Sequence, residues 1–256
     1  NVILNKNLIH KKKLEKEMEL AKRIQTAILP KQYKSPNFDI AGLMIPADEV
    51  GGDYFDFVID NNDREWFCIG DVSSHGLTPG LIMMMAQSII NTLIISKRNT
   101  PANVINYLNK LLFENIRNRL NSFEFMTISI ITHNGNGKMI LAGKHEIVII
   151  YRKKTNRIET FLTKGVWVGL LPKIKDLTTD IPFTLDSGDI LLLYTDGVIE
   201  ASNKNKEQFD IKRLSQMLLD NCGKNPEEIL KIILERVNNF MEIQKDDITL
   251  MAIRKK

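Results

Sequence analysis

From Phe38 onward the chain alternates short runs of β-branched and aromatic residues with tight-turn signals, and that rhythm limits the folds open to it. Runs at 38–45, 54–59 and 66–69 are expected strands, divided by turn formers such as Asp60-Asn61-Asn62-Asp63. Two helical stretches follow at 76–96 and 101–120, the second with Pro101 in its first turn and Thr100 as its N-cap. Expected strands at 125–132 and 138–142 then flank Asn134-Gly135-Asn136-Gly137, a hairpin signal because Asn-Gly favours the positive φ of type I′ turns. More strands are expected at 147–152, 157–161, 182–185 and 189–194, helices at 211–219 and 226–241, and a closing strand at 248–253. Strands joined by tight turns pair antiparallel, so the pattern implies an α+β architecture with two helical groups.

The first thirty residues read differently. Leu14, Met18, Ala21, Gln25 and Ile28 recur at alternating spacings of four and three, a heptad seam with one polar member, and Pro30 stops it. Such a helix either lies on its own domain or serves as a dimerising, signal-carrying element, and both readings stay open. The expected division is a helical segment over 1–29 and a single body over 30–256. Because the chain starts at Asn1, an upstream region is expected to be missing.

Composition excludes several classes. With 256 residues, 43% hydrophobic and 26% charged, the chain can bury a sizeable core and is neither disordered nor low-complexity. Cys68 and Cys222 cannot build a disulfide framework, which points to a reduced, cytoplasmic setting. The net charge of +4 is not gathered into a stripe, so nucleic acid is not an expected partner, and the basic runs at 10–13 and 254–256 read as solvated. The most apolar stretch, 81–95, is interrupted by Gln87, Ser88, Asn91 and Thr92 and is shorter than the ~20 residues a membrane span needs. It reads as a buried helix with Met83, Met84 and Met85 as core packing.

Aspartates recur where turns interrupt apolar strands. Asp53 lies in Gly51-Gly52-Asp53-Tyr54-Phe55-Asp56, Asp71 opens Asp71-Val72-Ser73-Ser74-His75-Gly76, Asp196 precedes Gly197, and Asp246-Asp247 lead into the last strand. A strand end holds a side chain rigidly while its tip reaches solvent. Carboxylates brought together this way repel unless a cation neutralises them, and hard oxygen donors suit Mg²⁺ or Mn²⁺ rather than zinc. Spacing alone leaves open whether the four places converge.

GGDYFDF, IGDVSSHG, LLLYTDGVIEA and DDITLMAI, in this order, resemble the SpoIIE/RsbU-type serine/threonine phosphatases of the metal-dependent PPM (type 2C) family, and IQTAILP extends the likeness back to about Leu20. The resemblance implies an αββα sandwich, two antiparallel sheets flanked by helices, with two Mn²⁺ or Mg²⁺ ions at one end. By motif, Asp53 would hold one ion, Asp71 would bridge both with the Val72 backbone carbonyl beside it, and Asp196 and Asp246 would hold the other. Asp247 is the lesser metal candidate of its pair, and Gly52 and Gly197 are expected to supply unusual backbone shapes. The implied chemistry is hydrolysis of phosphoserine or phosphothreonine by activated water, the substrate a phosphorylated STAS-type anti-sigma-factor antagonist. Residues 1–29 would relay a signal from an N-terminal sensor and could join a homodimer.

Two loops depart from the family pattern. Ser74 stands where Gly is usual, and Ala142-Gly143-Lys144-His145-Glu146 replaces Ala-Gly-His-Pro. They motivate an alternative, a catalytically degenerate phosphatase fold acting as a binding scaffold. His75 is either a general acid for the leaving alkoxide or a loop-packing residue. His10 and His133 read as surface residues, His145 is undecided, Lys144 either attracts a phosphoprotein substrate or, the better reading, is solvated, and Arg23 and Arg64 are phosphate-binding candidates by proximity to the motifs alone.

Overall fold

Two five-stranded antiparallel sheets pack face to face, and helices cover both outer surfaces, as the resemblance implies. The computed structural model describes residues 2–30, 34–96 and 99–256, and for 2–10, 14 and 15 the backbone alone, so the side chains of His10 and Leu14 lie outside the described residues. In chain order the elements begin with α1 (Val2–Ile28), β1 (Phe38–Ile45), β2 (Asp53–Ile59), β3 (Glu65–Val72), α2 (Leu77–Ser96) and α3 (Pro101–Phe113). β4 (Met126–His133), β5 (Lys138–Ala142), β6 (Val148–Arg152), β7 (Arg157–Phe161), β8 (Ile181–Thr184) and β9 (Ile190–Tyr194) follow. The chain closes with α4 (Asp196–Ile199), α5 (Asp210–Asp220), α6 (Pro226–Phe240) and β10 (Ile248–Lys255). One sheet has the order β1-β10-β9-β6-β7 and the other β2-β3-β4-β5-β8.

Alternate residues of each strand serve different layers, because successive side chains point to opposite faces. Between the sheets, Phe55, Phe67, Ile69, Ile131 and Leu141 meet Ile150, Leu191, Leu193, Met251 and Ile253. Their neighbours Cys68, Ile128, Ile130 and Ala142 face outward under Ile82, Met83, Ala86 and Ile90 of α2 and Ile105, Leu108 and Leu112 of α3. On the other side Ile190, Leu192, Leu250 and Ala252 lie under Leu214 and Leu218 of α5 and Ile229, Ile233 and Val237 of α6. With both faces covered, a strand such as β9 reads as an unbroken apolar run rather than an alternating one. By length and composition α2 could cross a membrane. In the fold its Ile82, Met83, Ala86, Ile90 and Ile94 are fully buried against the second sheet.

Local signals hold where they are expected. The Thr100 hydroxyl accepts the Asn103 N–H at the start of α3, and Gly135, Asn136 and Gly137 all take positive φ in the β4–β5 turn. The α-helical turns of 101–120 stop at Phe113, and Glu114–Arg119 continue as a π-helical turn. His133 is a correction. Pairing places it opposite Glu65, and it is buried, with Nδ1 3.0 Å from Glu65 Oε2 and Nε2 accepting the Gly137 N–H at 3.2 Å.

On α1 the polar member of the seam is the anchor. Gln25 is fully buried, donating from Nε2 to the Gly51 carbonyl at 2.6 Å and accepting the Gly51 N–H at 3.1 Å. Met18, Ala21 and Ile28 are half-buried beside it, while Leu20 and Ile24 on the same helix are nearly half exposed.

Candidate active site

Antiparallel register sets Asp53, the first residue of β2, directly opposite Asp71 near the end of β3. Opposed residues share a face with Cβ atoms roughly 5 Å apart, so two like charges meet at one end of the second sheet. The first sheet delivers its acids to the same end. Asp196 follows β9, Asp246 and Asp247 precede β10, and β9 and β10 are paired neighbours.

Two hydroxyls join the sheets across this seam. Thr195 and Thr249 both donate to Asp53 Oδ2, at 2.8 and 2.5 Å, and the Thr249 N–H donates to the Thr195 hydroxyl at 3.0 Å. Asp247 accepts the Ala47 N–H on Oδ1 at 2.8 Å and the Asp53 N–H on Oδ2 at 3.3 Å, so both its oxygens serve backbone groups. Gly52 and Gly197 are needed for close approach rather than for φ, and neither adopts a positive value. A Cβ on Gly52 would stand 2.5 Å from the Val72 carbonyl oxygen and 3.2 Å from Asp71 Oδ1. On Gly197 it would stand 2.0 Å from the Asp247 carbonyl oxygen.

Burial pushes Asp71 up to about 9, and the charges of Asp53, Asp196, Asp246 and Asp247 add to it. Burial, then Asp247, holds Asp53 well above the ordinary carboxylate range, and burial first also raises Asp196 and Asp246. Four acids raised together attract a divalent cation, which would reverse each shift. The donors are carboxylates plus the Val72 carbonyl in the glycine-lined cradle, a set that fits Mg²⁺ or Mn²⁺. Among the described residues no three such side chains form a ready-made metal-holding group.

A cleft of about 440 Å³ opens over Asp71, Asp196 and Asp246. Asp53 lies behind them, buried. His75 lines the cleft with Nδ1 2.8 Å from Asp48 Oδ2, and Lys144, Glu146, Lys245 and a stacked Phe125–Trp167 pair complete its rim. His145, undecided from sequence, is buried, and burial lowers its pKa to about 4. Its Nε2 lies 3.1 Å from the Tyr194 carbonyl oxygen, an acceptor, so that nitrogen carries the proton and Nδ1 accepts from the Thr127 hydroxyl. Arg64 is occupied elsewhere, 2.7 Å from Asp60 and over the Trp66 ring, and neither it nor Arg23 lines the cleft. Sequence reasoning missed Thr195, Thr249 and Glu146. A threonine inside the apolar run of β10 was the available signal for Thr249.

Ser74 has φ of +74°, the conformation that glycine adopts freely. The left-handed conformation costs an L-residue roughly 1–2 kcal/mol, and glycine's greater unfolded-state freedom offsets part of the gain. Ser74→Gly is therefore expected to stabilise the chain by about 0.5–1 kcal/mol, measured by urea unfolding. A destabilised variant would show that the serine hydroxyl contributes more than the strain costs.

The family model for Stage II sporulation protein E (SpoIIE) matches residues 61–256. The phosphoserine phosphatase RsbU of Bacillus subtilis is 25% identical over 249 residues, spanning 95% of this chain and 71% of RsbU. Among solved structures, the SiaA-PP2C domain of Pseudomonas aeruginosa superimposes with a TM-score of 0.81 at 21% identity, covering 96% of this chain and 98% of that domain. RsbX, solved in complex with magnesium, superimposes with a TM-score of 0.65 at 13% identity, over 88% of this chain and 98% of RsbX.

Proposed function

The chain belongs to the SpoIIE family of PPM-type serine/threonine protein phosphatases, and on that premise we propose that it dephosphorylates a phosphoserine or phosphothreonine on a STAS-type regulatory protein in a partner-switching pathway. The observation that carries the reading is the meeting of Asp53, Asp71, Asp196 and Asp246 from two sheets at one end of the sandwich.

Asp53, Asp71 with the Val72 carbonyl, Asp196 and Asp246 are the proposed holders of two Mn²⁺ or Mg²⁺ ions. When bound, such ions supply charge stabilisation to the transferring phosphoryl group and lower the pKa of the attacking water. The chain's own part is positional. Thr195 and Thr249 fix the Asp53 carboxylate, and Asp247 fixes the backbone on which Asp53 stands. His75, held by Asp48 at the cleft edge, is the proposed proton donor to the leaving serine oxygen. Gln25 ties α1 to the loop that leads into Asp53, which supports α1 as the route by which an upstream sensor acts. The exposed Leu20 and Ile24 on the same helix support residues 1–29 as a dimer contact. Two free cysteines, Cys68 and Cys222, suit a cytoplasmic setting. The scaffold alternative draws only on the altered loops at Ser74 and Lys144, and both leave the acids in position.

The test is hydrolysis of para-nitrophenyl phosphate and of a phosphoserine peptide with Mn²⁺, with EDTA, and in Asp196→Asn. Release that requires Mn²⁺ and collapses in the variant is expected. Activity indifferent to both EDTA and Asp196→Asn would remove the reading.

A further inference from the structure

The proposed hydrolysis leaves unassigned how a doubly charged phosphomonoester enters a cleft rimmed by acids, and the inference below rests on that reading. Asp71, Asp196, Asp246 and Glu146 all line the opening, against which stand Lys144, Lys245 and His75, with His145 beside them held neutral by burial. The two lysines come from different sheets. Lys144 follows β5 and Lys245 precedes β10. Among the described residues neither forms an ion pair, so both ammonium groups remain available to a ligand.

Lys144 stands in the turn that departs from the family's usual Ala-Gly-His-Pro, and its backbone is pinned on both sides. Gly143 holds φ of +108°, with its Cα packed so closely on β4 that an added Cβ would lie 2.1 Å from the Ile128 carbonyl oxygen. The Lys144 carbonyl accepts the Ile128 N–H at 2.9 Å, and the next side chain, His145, turns inward to the Tyr194 carbonyl. The turn thus puts its histidine into the core and its lysine on the cleft wall. Neither Arg23 nor Arg64 supplies a cation there. We propose that Lys144 and Lys245 grip the phosphoryl oxygens of the incoming substrate from the two sheets, taking the part an arginine would otherwise play.

The experiment is calorimetric titration of inorganic phosphate into the Mn²⁺-treated chain, wild type beside Lys144→Met, Lys245→Met and Lys144→Arg, each checked for folding by circular dichroism. A hydrogen bond to a charged group corresponds to about tenfold in affinity. Each Met variant is expected to bind phosphate about tenfold more weakly, with a shallower salt dependence, and Lys144→Arg to stay within about threefold of wild type. Met variants that bind phosphate as tightly as wild type, or a wild type that binds none, would overturn the proposal. So would recovery of wild-type affinity in Glu146→Gln/Lys144→Met, which would assign Lys144 to neutralising Glu146. Turnover of para-nitrophenyl phosphate on the same samples reports separately on the phosphatase reading. If turnover persists while the lysines prove indifferent, only the grip fails. If no sample turns over, the phosphate titration still decides the grip.

Discussion

Asp71→Asn is expected to lower phosphatase turnover by about a thousandfold, to cripple Mn²⁺ binding, and yet to stabilise the metal-free chain. The loss follows from the proposed part of Asp71 in holding the ions, beside Asp53 directly opposite it. Metal stabilisation of transition-state charge is worth several kcal/mol, and about 4 kcal/mol is roughly a thousandfold. The gain in stability follows from the same crowding. Burial and four neighbouring acids raise Asp71 from an ordinary 3.8 to about 9. A carboxyl raised in the folded state binds a proton there that the unfolded chain has released, so metal-free stability falls as pH climbs from the ordinary value towards about 9. Asn carries no such dependence. Its advantage in metal-free Tm should therefore be larger near pH ~8 than near pH ~5, and Mn²⁺ should reverse the ranking. Calorimetric Mn²⁺ titration beside turnover and thermal melts provides the check. A variant that retains both metal binding and turnover would remove Asp71 from the site.

Gly197→Ala is expected to be strongly destabilising at the active-site end. The new carbon would stand 2.0 Å from the Asp247 carbonyl oxygen, 3.0 Å from its carbon and 3.3 Å from the Asp246 Cβ. Two of those neighbours are backbone, which cannot rotate away, so the cost belongs at the top of the ~1–3 kcal/mol range for overpacking. For a chain of this size about 3 kcal/mol lowers Tm by roughly 10 °C. Relief requires the segment bearing Asp246 and Asp247 to move, so Mn²⁺ affinity should fall with Tm. Gly223→Ala is the control, since a Cβ there meets nothing within 4 Å, and its effect should stay within about 0.5 kcal/mol. Gly197→Ala melting within the same margin would show that the two strand ends are less tightly opposed than the geometry implies.

Most of the strands and helices are legible in the sequence because their causes are local. Turn residues such as Asn134-Gly135-Asn136-Gly137 sit between the strands they join, and Thr100-Pro101 starts a helix wherever that helix packs. His133 was misread because the partner that justifies its burial, Glu65, lies 68 residues away in sequence. Both oxygens of Asp247 accept backbone N–H groups, and nothing in DDITLMAI names Ala47 and Asp53 as their owners.

By itself, then, the amino-acid order determined antiparallel strands, two groups of helices and the strand ends at which acids stand, since hydrophobic period and turn chemistry act over a few residues. The stacking of two sheets was implied by the family resemblance alone. Only the tertiary structure decided how those acids are used. Asp53 is held from behind by Thr195 and Thr249, 142 and 196 residues further along the chain. Gln25, the one polar residue of a helical seam, holds the Gly51 backbone rather than a second helix. Lys144 and Lys245 share one cleft because two different sheets end there. Such meetings are set by register and by sheet-on-sheet packing, which sum over the whole chain and leave no mark in the residues on either side.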